Sequence, residues 1–498
     1  MTNIVGIDLG TTFSAISRVE EAGKPKIVPN KDGKNITPSV VEFLDDGNVL
    51  VGDEAKKSIG YNDENIVQEV KRSMGEDVTY EHFGKTHTPI TISSMILKKL
   101  KQDFEAVYGE ITSVVVTVPA NFTNEAREAT KKAAELAGLK LEHTINEPTA
   151  AALAYALQSE SNLNGKYAIY DLGGGTFDCT IATIKDKNID VETSEGVNKL
   201  GGKDFDEKIT EIVSSKFKEA TGQDLNPKEF TPNDAEDIKI SLSSKDKALA
   251  RVSGQVLDVT REEFEAATST LISKAEMSVE AALRNVGIDA SGIEDVILVG
   301  GSTRMPMVVE SLKKMFGKEP KLFGNPDESV ALGASIYAAH NTDSEDLNPL
   351  QRQQMQNFSL TEAAPFYFGT IYHDTDVGKE RVRNIINKDE KIPCEFSDNF
   401  VTRHDNQTQV DCSVTQAGAD IDDPAMVKVI WDGLLDLPAG RPAGQQITIT
   451  YGYKEDGTMT CSFLDVASGS VRDIDLTIGS DGGKPLEDDF DPDAFQVD

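Results

Sequence analysis

Two textures alternate along residues 1–340. Short β-branched runs end in turn residues: NIVGIDLG (3–10), SVVVTVP (113–119), KYAIYDLG (166–173) and DVILVGG (295–301). Longer stretches between them, such as Asn124–Leu139 and Arg261–Val286, repeat apolar residues at helical spacing. The alternation predicts an α/β architecture with largely buried sheets. Residues 341–357 are polar and rich in Asp, Gln and Asn, which reads as a linker. From Phe366 to Ile478 the pattern is short strands and turns, with hairpin signals at Lys454–Gly457 and Ala467–Gly469. That part reads as an all-β sandwich. The stretch 481–498 carries seven acids and one lysine, the composition of a solvated tail.

Composition narrows the chemistry. The 498 residues hold 50 Lys and Arg against 84 Asp and Glu, a net charge of −34. Such a surface repels phosphate backbones and anionic lipid, so general nucleic-acid or membrane binding is not expected. A nucleotide remains admissible, because backbone N–H groups and a metal ion suffice to hold it. No apolar run approaches the roughly 20 residues of a membrane helix, and the first residues lack the pattern of a signal peptide. The four cysteines, Cys179, Cys394, Cys412 and Cys461, form no C-x-x-C pair. They read as thiols of a reducing cytoplasm. The histidines are scattered, without zinc-ligand spacing.

One segment occurs twice. Gly6–Phe13 (GIDLGTTF) leads into SAISRV, and Tyr170–Asp178 (YDLGGGTFD) leads into CTIATI. Each copy reads as strand, Asp, Gly/Thr turn, strand. A turn without Cβ atoms lets backbone N–H groups approach an anion, and an Asp at a strand end suits hydrated Mg²⁺. Two copies suit a polyphosphate gripped from opposite sides. Two ordinary tight hairpins are the plainer reading of either copy alone. Other nucleotide motifs fail: Gly84-Lys85-Thr86 lacks the P-loop glycine, Thr79 standing in its place, and no G-x-G-x-x-G opens a helix after a strand.

From Asn3 to about Ile478 the chain resembles the seventy-kilodalton heat-shock chaperones of the DnaK type, of the actin and sugar-kinase ATPase superfamily. The residues that carry the resemblance are GIDLGTT, INEPTAAALAY, DLGGGTFD, LGGKDFD and LVGGSTRMP, in the family's order and spacing. It implies an α/β actin-like ATPase domain with two lobes and a duplicated core at 1–343. A linker at 344–364, a β-sandwich peptide-binding domain at 365–478 and an acidic flexible tail at 479–498 follow; the C-terminal helical lid of the family is not expected here, which is a departure from it. The implied activity is Mg-dependent ATP hydrolysis to ADP and phosphate, which switches affinity for extended apolar segments of unfolded clients in protein folding and the stress response. An ATP-binding adaptor with little hydrolysis is the alternative; a superfamily kinase or filament ATPase fits the β unit poorly.

The resemblance assigns residues. Phosphate would meet Gly10, Thr11, Thr12, Gly173, Gly174, Gly175 and Thr176. Lys71 would reach the γ-phosphate, and Glu147 would orient the attacking water or take its proton. Asp8, Asp171 and Thr176 complete the catalytic set. Asp8, Asp171 and Asp178 would hold Mg²⁺ largely through water, with K⁺ a further candidate ion. Glu236, Lys239, Ser243, Gly300, Gly301, Ser302, Arg304 and Asp327 would line the adenosine pocket. Pro148, Arg127 and Glu362 match an interdomain relay, although a turn proline and a surface arginine are plainer roles for the first two. Phe400, Gln407, Val410, Cys412 and Ile447 would line the peptide cleft, where plain core residues are the competing reading.

The chain also departs from the family. Leu360 and its neighbours dilute the aliphatic linker, and His143 beside Glu142 replaces basic character where J-domain proteins dock. The loop after Ser244 is short, and Lys203 stands where the GG-x-DFD motif has an acid. A dedicated J-domain partner and little need for an exchange factor are the corresponding expectations.

Overall fold

The computed structural model describes residues 3–159, 163–343, 345–355, 358–455, 457–476 and 497. They form two compact units that divide at Ser359/Leu360, with residues 191–193 grouped in the second and Val497 in the first.

The first unit contains one topology twice. Its first sheet has the order Leu141–Asn146 (β5), Ser113–Val118 (β4), Ile4–Asp8 (β1), Phe13–Val19 (β2) and Pro25–Val28 (β3). β1 is antiparallel to β2 and parallel to β4, which is parallel to β5. Its second sheet has Lys321–Leu322 (β10), Ile293–Val299 (β9), Asn164–Leu172 (β6), Phe177–Lys185 (β7) and Asn188–Val197 (β8) in the same arrangement. Here β6 is antiparallel to β7 and parallel to β9, which is parallel to β10. The internal sequence echo is thus a repeat of strand order as well as of turn chemistry.

Helices cover these sheets. Glu147–Gln158 (α1) and Ser329–Asn341 (α4) are buried along almost their whole length. Small residues permit the close approach: a Cβ on Gly333 would lie 1.7 Å from the Ala150 carbonyl oxygen, and one on Gly6 would lie 2.0 Å from the Ser335 nitrogen. Gly202–Thr221 (α2) and Pro232–Ser244 (α3) pack over a second apolar core that includes Phe205, Phe264 and Phe177. The expected helix at Asn124–Leu139 runs Asn124–Leu136, and Arg261–Val286 is helical over its full expected length.

The stretch read as a linker is partly built into the first unit. Pro349–Met355 is a helix, and Gln351 Nε2 donates to the carbonyls of Val19 and Glu20. Phe358 is buried against His340, ring centroids 4.2 Å apart, and Ser359 bonds the Asn188 side chain. The apolar and amide side chains of this polar-looking segment find partners on the unit they follow. Of the tail expected at 479–498, only Val497 lies within the described residues. It is buried and bridges in parallel to Val49.

The second unit is two four-stranded antiparallel sheets. One has the order Lys379–Ile386 (β12), Tyr367–Asp374 (β11), Gln409–Ala417 (β14), Lys428–Asp436 (β15). The other has Cys394–Val401 (β13), Gln446–Tyr453 (β16), Met459–Asp465 (β17), Val471–Asp475 (β18). Between them lies one core that includes Phe368, Trp431, Tyr451 and Phe463. Among the described residues no helix follows β18.

Candidate nucleotide site

A cavity of about 560 Å³ lies in the first unit. All but one of the residues expected to contact phosphate, catalyse or hold adenosine line it, the exception being Gly175; of the three metal-side carboxylates, Asp178 does not. Gly175 sits behind, where a Cβ would come within 2.4 Å of Thr11 Cγ2. Asp178 pairs across the β6–β7 hairpin with Asp171 and accepts from Asn121 Nδ2 at 2.5 Å.

The two glycine hairpins abut. A Cβ on Gly174 would lie 1.8 Å from Thr12 Oγ1, so this position tolerates glycine alone. Thr12 Oγ1 is buried without a hydrogen-bond partner in the protein, a cost unless something else accepts or donates there. Thr11 and Thr176 are likewise buried. In the second hairpin, Gly173 N donates to the Thr176 carbonyl at 3.1 Å. The first turn of α2 then closes on this hairpin, with Gly202 N and Lys203 N donating to the carbonyls of Gly173 and Gly174, both at 2.9 Å.

Three carboxylates sit where β1, β6 and β7 reach the hairpins. Burial, with Glu147 adding to it, pushes Asp8 up to about 7, although Thr117 Oγ1 donates to it at 3.0 Å. Burial and the same Glu147 push Asp178 up to about 7, and Asp171 is held well above the carboxylate range for the same first reason. An oxygen-only set that burial holds back from ionising, against the pull of Lys71, is the chemistry expected of a hard-cation site. Among the described residues, no three such side chains converge closely enough for direct three-ligand coordination.

Lys71, in a short 3₁₀ turn at Val70–Ser73, is 4% exposed and ion-paired to Glu147, which opens α1 and is 7% exposed. Its neighbour Arg72 ties this turn to α2, bonding the Gly175 carbonyl at 3.2 Å and Asp204 at 2.5 Å. Behind Glu147 lies Arg127, whose plainer reading as a surface arginine is wrong. It is buried and donates to the carbonyls of Phe122 and Ala120 and to Asn146 Oδ1, the residue before Glu147. Pro148 is the second residue of α1, and Glu362 pairs with Ile392 within the second unit.

The adenosine side is a charge lattice. Lys239 Nζ lies 2.8 Å from Asp206 and donates to the Gly202 carbonyl at 3.1 Å. Glu236 pairs with Lys56 at 2.5 Å; burial alone would raise its carboxyl, but Lys56, Lys203 and Lys239 hold it below its ordinary value. Ser302 Oγ donates to the Gly173 carbonyl, and Arg304 is engaged by Asn325 and Asp327. Ser243 donates to the Lys239 carbonyl. Sequence reasoning missed Lys56, Asp206 and Arg72. Asp206 had a signal, since it closes the quoted LGGKDFD motif; Lys56 had none.

In the second unit, Phe400 and Ile447 are cross-strand partners, and Val410 and Cys412 lie two apart on β14. Cys412 and Ile447 are core, each 2% exposed, with Phe400 and Val410 half-buried against the same cluster. Phe400 also meets the Tyr372 ring at 5.6 Å. Gln407 spends its amide locally, accepting from Arg403 N and donating to the Gln409 carbonyl. A separate hollow of about 300 Å³ on this unit, lined by Glu395, Gly452 and Asp473 among others, involves none of the five expected residues. Elsewhere, Glu142 pairs with Lys140 at 2.8 Å, and His143 is half-buried edge-on to Tyr337.

Residues 4–490 match a family model described as Hsp70 protein. The chain is 38% identical over 493 residues to the chaperone protein DnaK of Thermotoga neapolitana, and equally so to that of Thermotoga maritima. Each alignment covers 95% of this chain and 80% of the relative. The class is therefore an actin-like ATPase unit joined to a β-sandwich. The chain belongs to the Hsp70 family, and it is an ATP-dependent chaperone and an ATPase. No helix among the described residues is long and apolar enough to cross a membrane.

Proposed function

We propose that the cavity of the first unit hydrolyses ATP with Lys71, Glu147, Asp8, Asp171 and Thr176, and that the second unit holds an extended apolar peptide at Phe400 and Val410. The single observation behind the catalytic half is the buried Lys71–Glu147 pair, facing a cavity whose floor is two abutting glycine hairpins. Lys71 supplies positive charge where the transferred phosphoryl gathers negative charge, and Glu147 orients the nucleophilic water and holds its proton. Backbone N–H groups of Gly10–Thr12 and Gly173–Thr176 position the polyphosphate, and Thr12 Oγ1 gains a partner. The lattice of Lys239, Glu236, Ser243, Ser302 and Arg304 positions adenosine. Asp8, Asp171 and Asp178 fit Mg²⁺ held largely through water, with K⁺ as a further ion. When bound, the metal would offset phosphate charge.

In the sandwich, the half-buried Phe400 and Val410 supply the apolar rim, while Cys412 and Ile447 form its floor. Extended backbone can pair at such a rim without side-chain specificity. Arg127 and Pro148, which brace Glu147, belong to the route by which the nucleotide state is communicated, together with Glu362. A dedicated J-domain partner follows from Glu142 and His143 at the docking position. Four free cysteines suit a cytoplasmic setting. Single-turnover ATP hydrolysis, with and without an extended apolar peptide, tests the whole reading. Hydrolysis that peptide accelerates supports it. ATP that binds but is not turned over makes the chain an adaptor.

A further inference from the structure

We propose that Lys203 is a polyphosphate-contacting cation of the nucleotide cavity and sets its preference for tri- and diphosphates over unphosphorylated nucleosides. The inference rests on the nucleotide reading above and adds a residue that the reading does not use.

The backbone of Lys203 is fixed against the second hairpin by its N–H bond to the Gly174 carbonyl at 2.9 Å. Lys203 lines the main cavity and also the small hollow beside it, which Thr11 and Thr12 of the first hairpin share. Lys203 therefore lines the cavity together with both hairpins and shares both hollows with Thr12, whose Oγ1 has no partner in the protein.

Burial of a lysine demands a partner, and this one is poorly served. It is 7% exposed. Its described ion pair, with Asp206 Oδ2, is 4.0 Å long, beyond hydrogen-bond reach. Asp206 already has Lys239 at 2.8 Å. Among the described residues no hydrogen bond is made by Lys203 Nζ, whereas each neighbouring cation is engaged. Lys71 pairs with Glu147, Lys56 with Glu236, and Arg304 with Asp327. Six carboxyl groups and four cations line the cavity, and each carboxyl that ionises there repels an entering polyphosphate. A cation without a close partner, lining the cavity together with both phosphate hairpins, offsets that repulsion at the phosphates and not at the base.

Calorimetric titration of ATP, ADP and adenosine into the full chain and its Lys203→Gln, Lys203→Glu and Lys203→Arg variants tests this. The expected result for Lys203→Gln is an ATP affinity lower by roughly tenfold or more, the worth of a hydrogen bond to a charged group. ADP loses less, adenosine is unchanged, and Lys203→Arg is close to the parent. Lys203→Glu weakens ATP further; Lys203→Gln keeps the proposal testable should that variant fail to fold. Equal losses for ATP and adenosine overturn the proposal, because they show Lys203 merely steadying Asp206 and Lys239. An unchanged ATP affinity in Lys203→Gln overturns it as well. A parent chain that binds neither ATP nor ADP overturns the nucleotide reading itself, which is a separate failure.

Discussion

The nucleotide cavity and the rim of the sandwich are built from opposite materials. In the first, charges are buried and several positions are fixed by their neighbours: Gly174 by a 1.8 Å approach, Lys71 by Glu147, Asp206 by Lys239. In the second, an apolar surface grades into a core, and Cys412 and Ile447 belong as much to packing as to any ligand. Burying charge without a ligand is costly, whereas burying an apolar side chain stabilises the fold by itself. The first region therefore carries its function in its geometry, and the second carries mainly its stability.

The largest effect should follow from Lys71. Its truncation to Ala, or Glu147→Gln, should slow single-turnover ATP hydrolysis by on the order of 100-fold or more, since each removes a group acting on the reacting phosphoryl or water. Glu147→Gln is the milder change, because it leaves Lys71 an amide oxygen as acceptor, whereas Lys71→Ala strands a buried carboxylate. ADP binding by calorimetry should persist in both. Turnover at the parent rate in both variants would leave the buried pair a structural ion pair and erase the contrast between the units.

What was legible in the sequence follows the same contrast. The repeated Asp-and-glycine turns could be read because few residues allow two backbones to touch, and the structure repeats them down to strand order. Asp171 and Asp178 proved to be direct cross-strand partners, as two residues flanking a tight hairpin must be. Arg127 was weighed as a surface residue because helical spacing does not reveal that a guanidinium turns inward to four oxygen atoms. Lys56 was illegible because its partner, Glu236, is 180 residues away. In the sandwich, alternation marked strands but could not tell rim from floor; along the mostly solvent-exposed β13 little burial alternates at all.

A smaller effect separates rim from floor. Val410→Phe places a larger ring at a half-buried position and should abolish capture of a labelled apolar peptide, with a stability cost of at most about 1–3 kcal/mol. Cys412→Phe overfills a 2% exposed position two residues along and should lower the unfolding midpoint of the sandwich. Trp431, the chain's only tryptophan, reports that midpoint by fluorescence. Peptide affinity surviving in Val410→Phe would make all four apolar positions plain core.

The smallest effect is a difference in pH response between the units, measured without nucleotide. Burial pushes Asp206 up to about 6 against the pull of Lys239 and Lys203, and burial also raises Glu69 and Asp327. Between pH 4 and 6 the native carboxyl of Asp206 holds a proton that the unfolded chain has lost. Its contribution is present at low pH and fades as pH rises through about 6. Asp8 and Asp178 act in the same direction. His87, buried in a stack with Phe43 and His82 and lowered to about 4, opposes them, because there the unfolded chain binds the extra proton below 6.5. His82 is lowered by burial too and opposes them in the same way, yet the more numerous raised carboxyls leave the first unit losing stability as pH rises from about 4.5 to 7. In the second unit the described acid shifts run downward, at Asp374, Asp422 and Asp465, and the thiol shifts run upward, so none enters that window. Every described α-helix lies in the first unit and the lone tryptophan in the second. Far-ultraviolet circular dichroism and Trp431 fluorescence thus follow the two melts separately. The helix midpoint should fall with rising pH while the Trp431 midpoint stays level; a Trp431 midpoint that tracks the helices would show that the two units share one cooperative transition and that the contrast in their charges does not divide their stability.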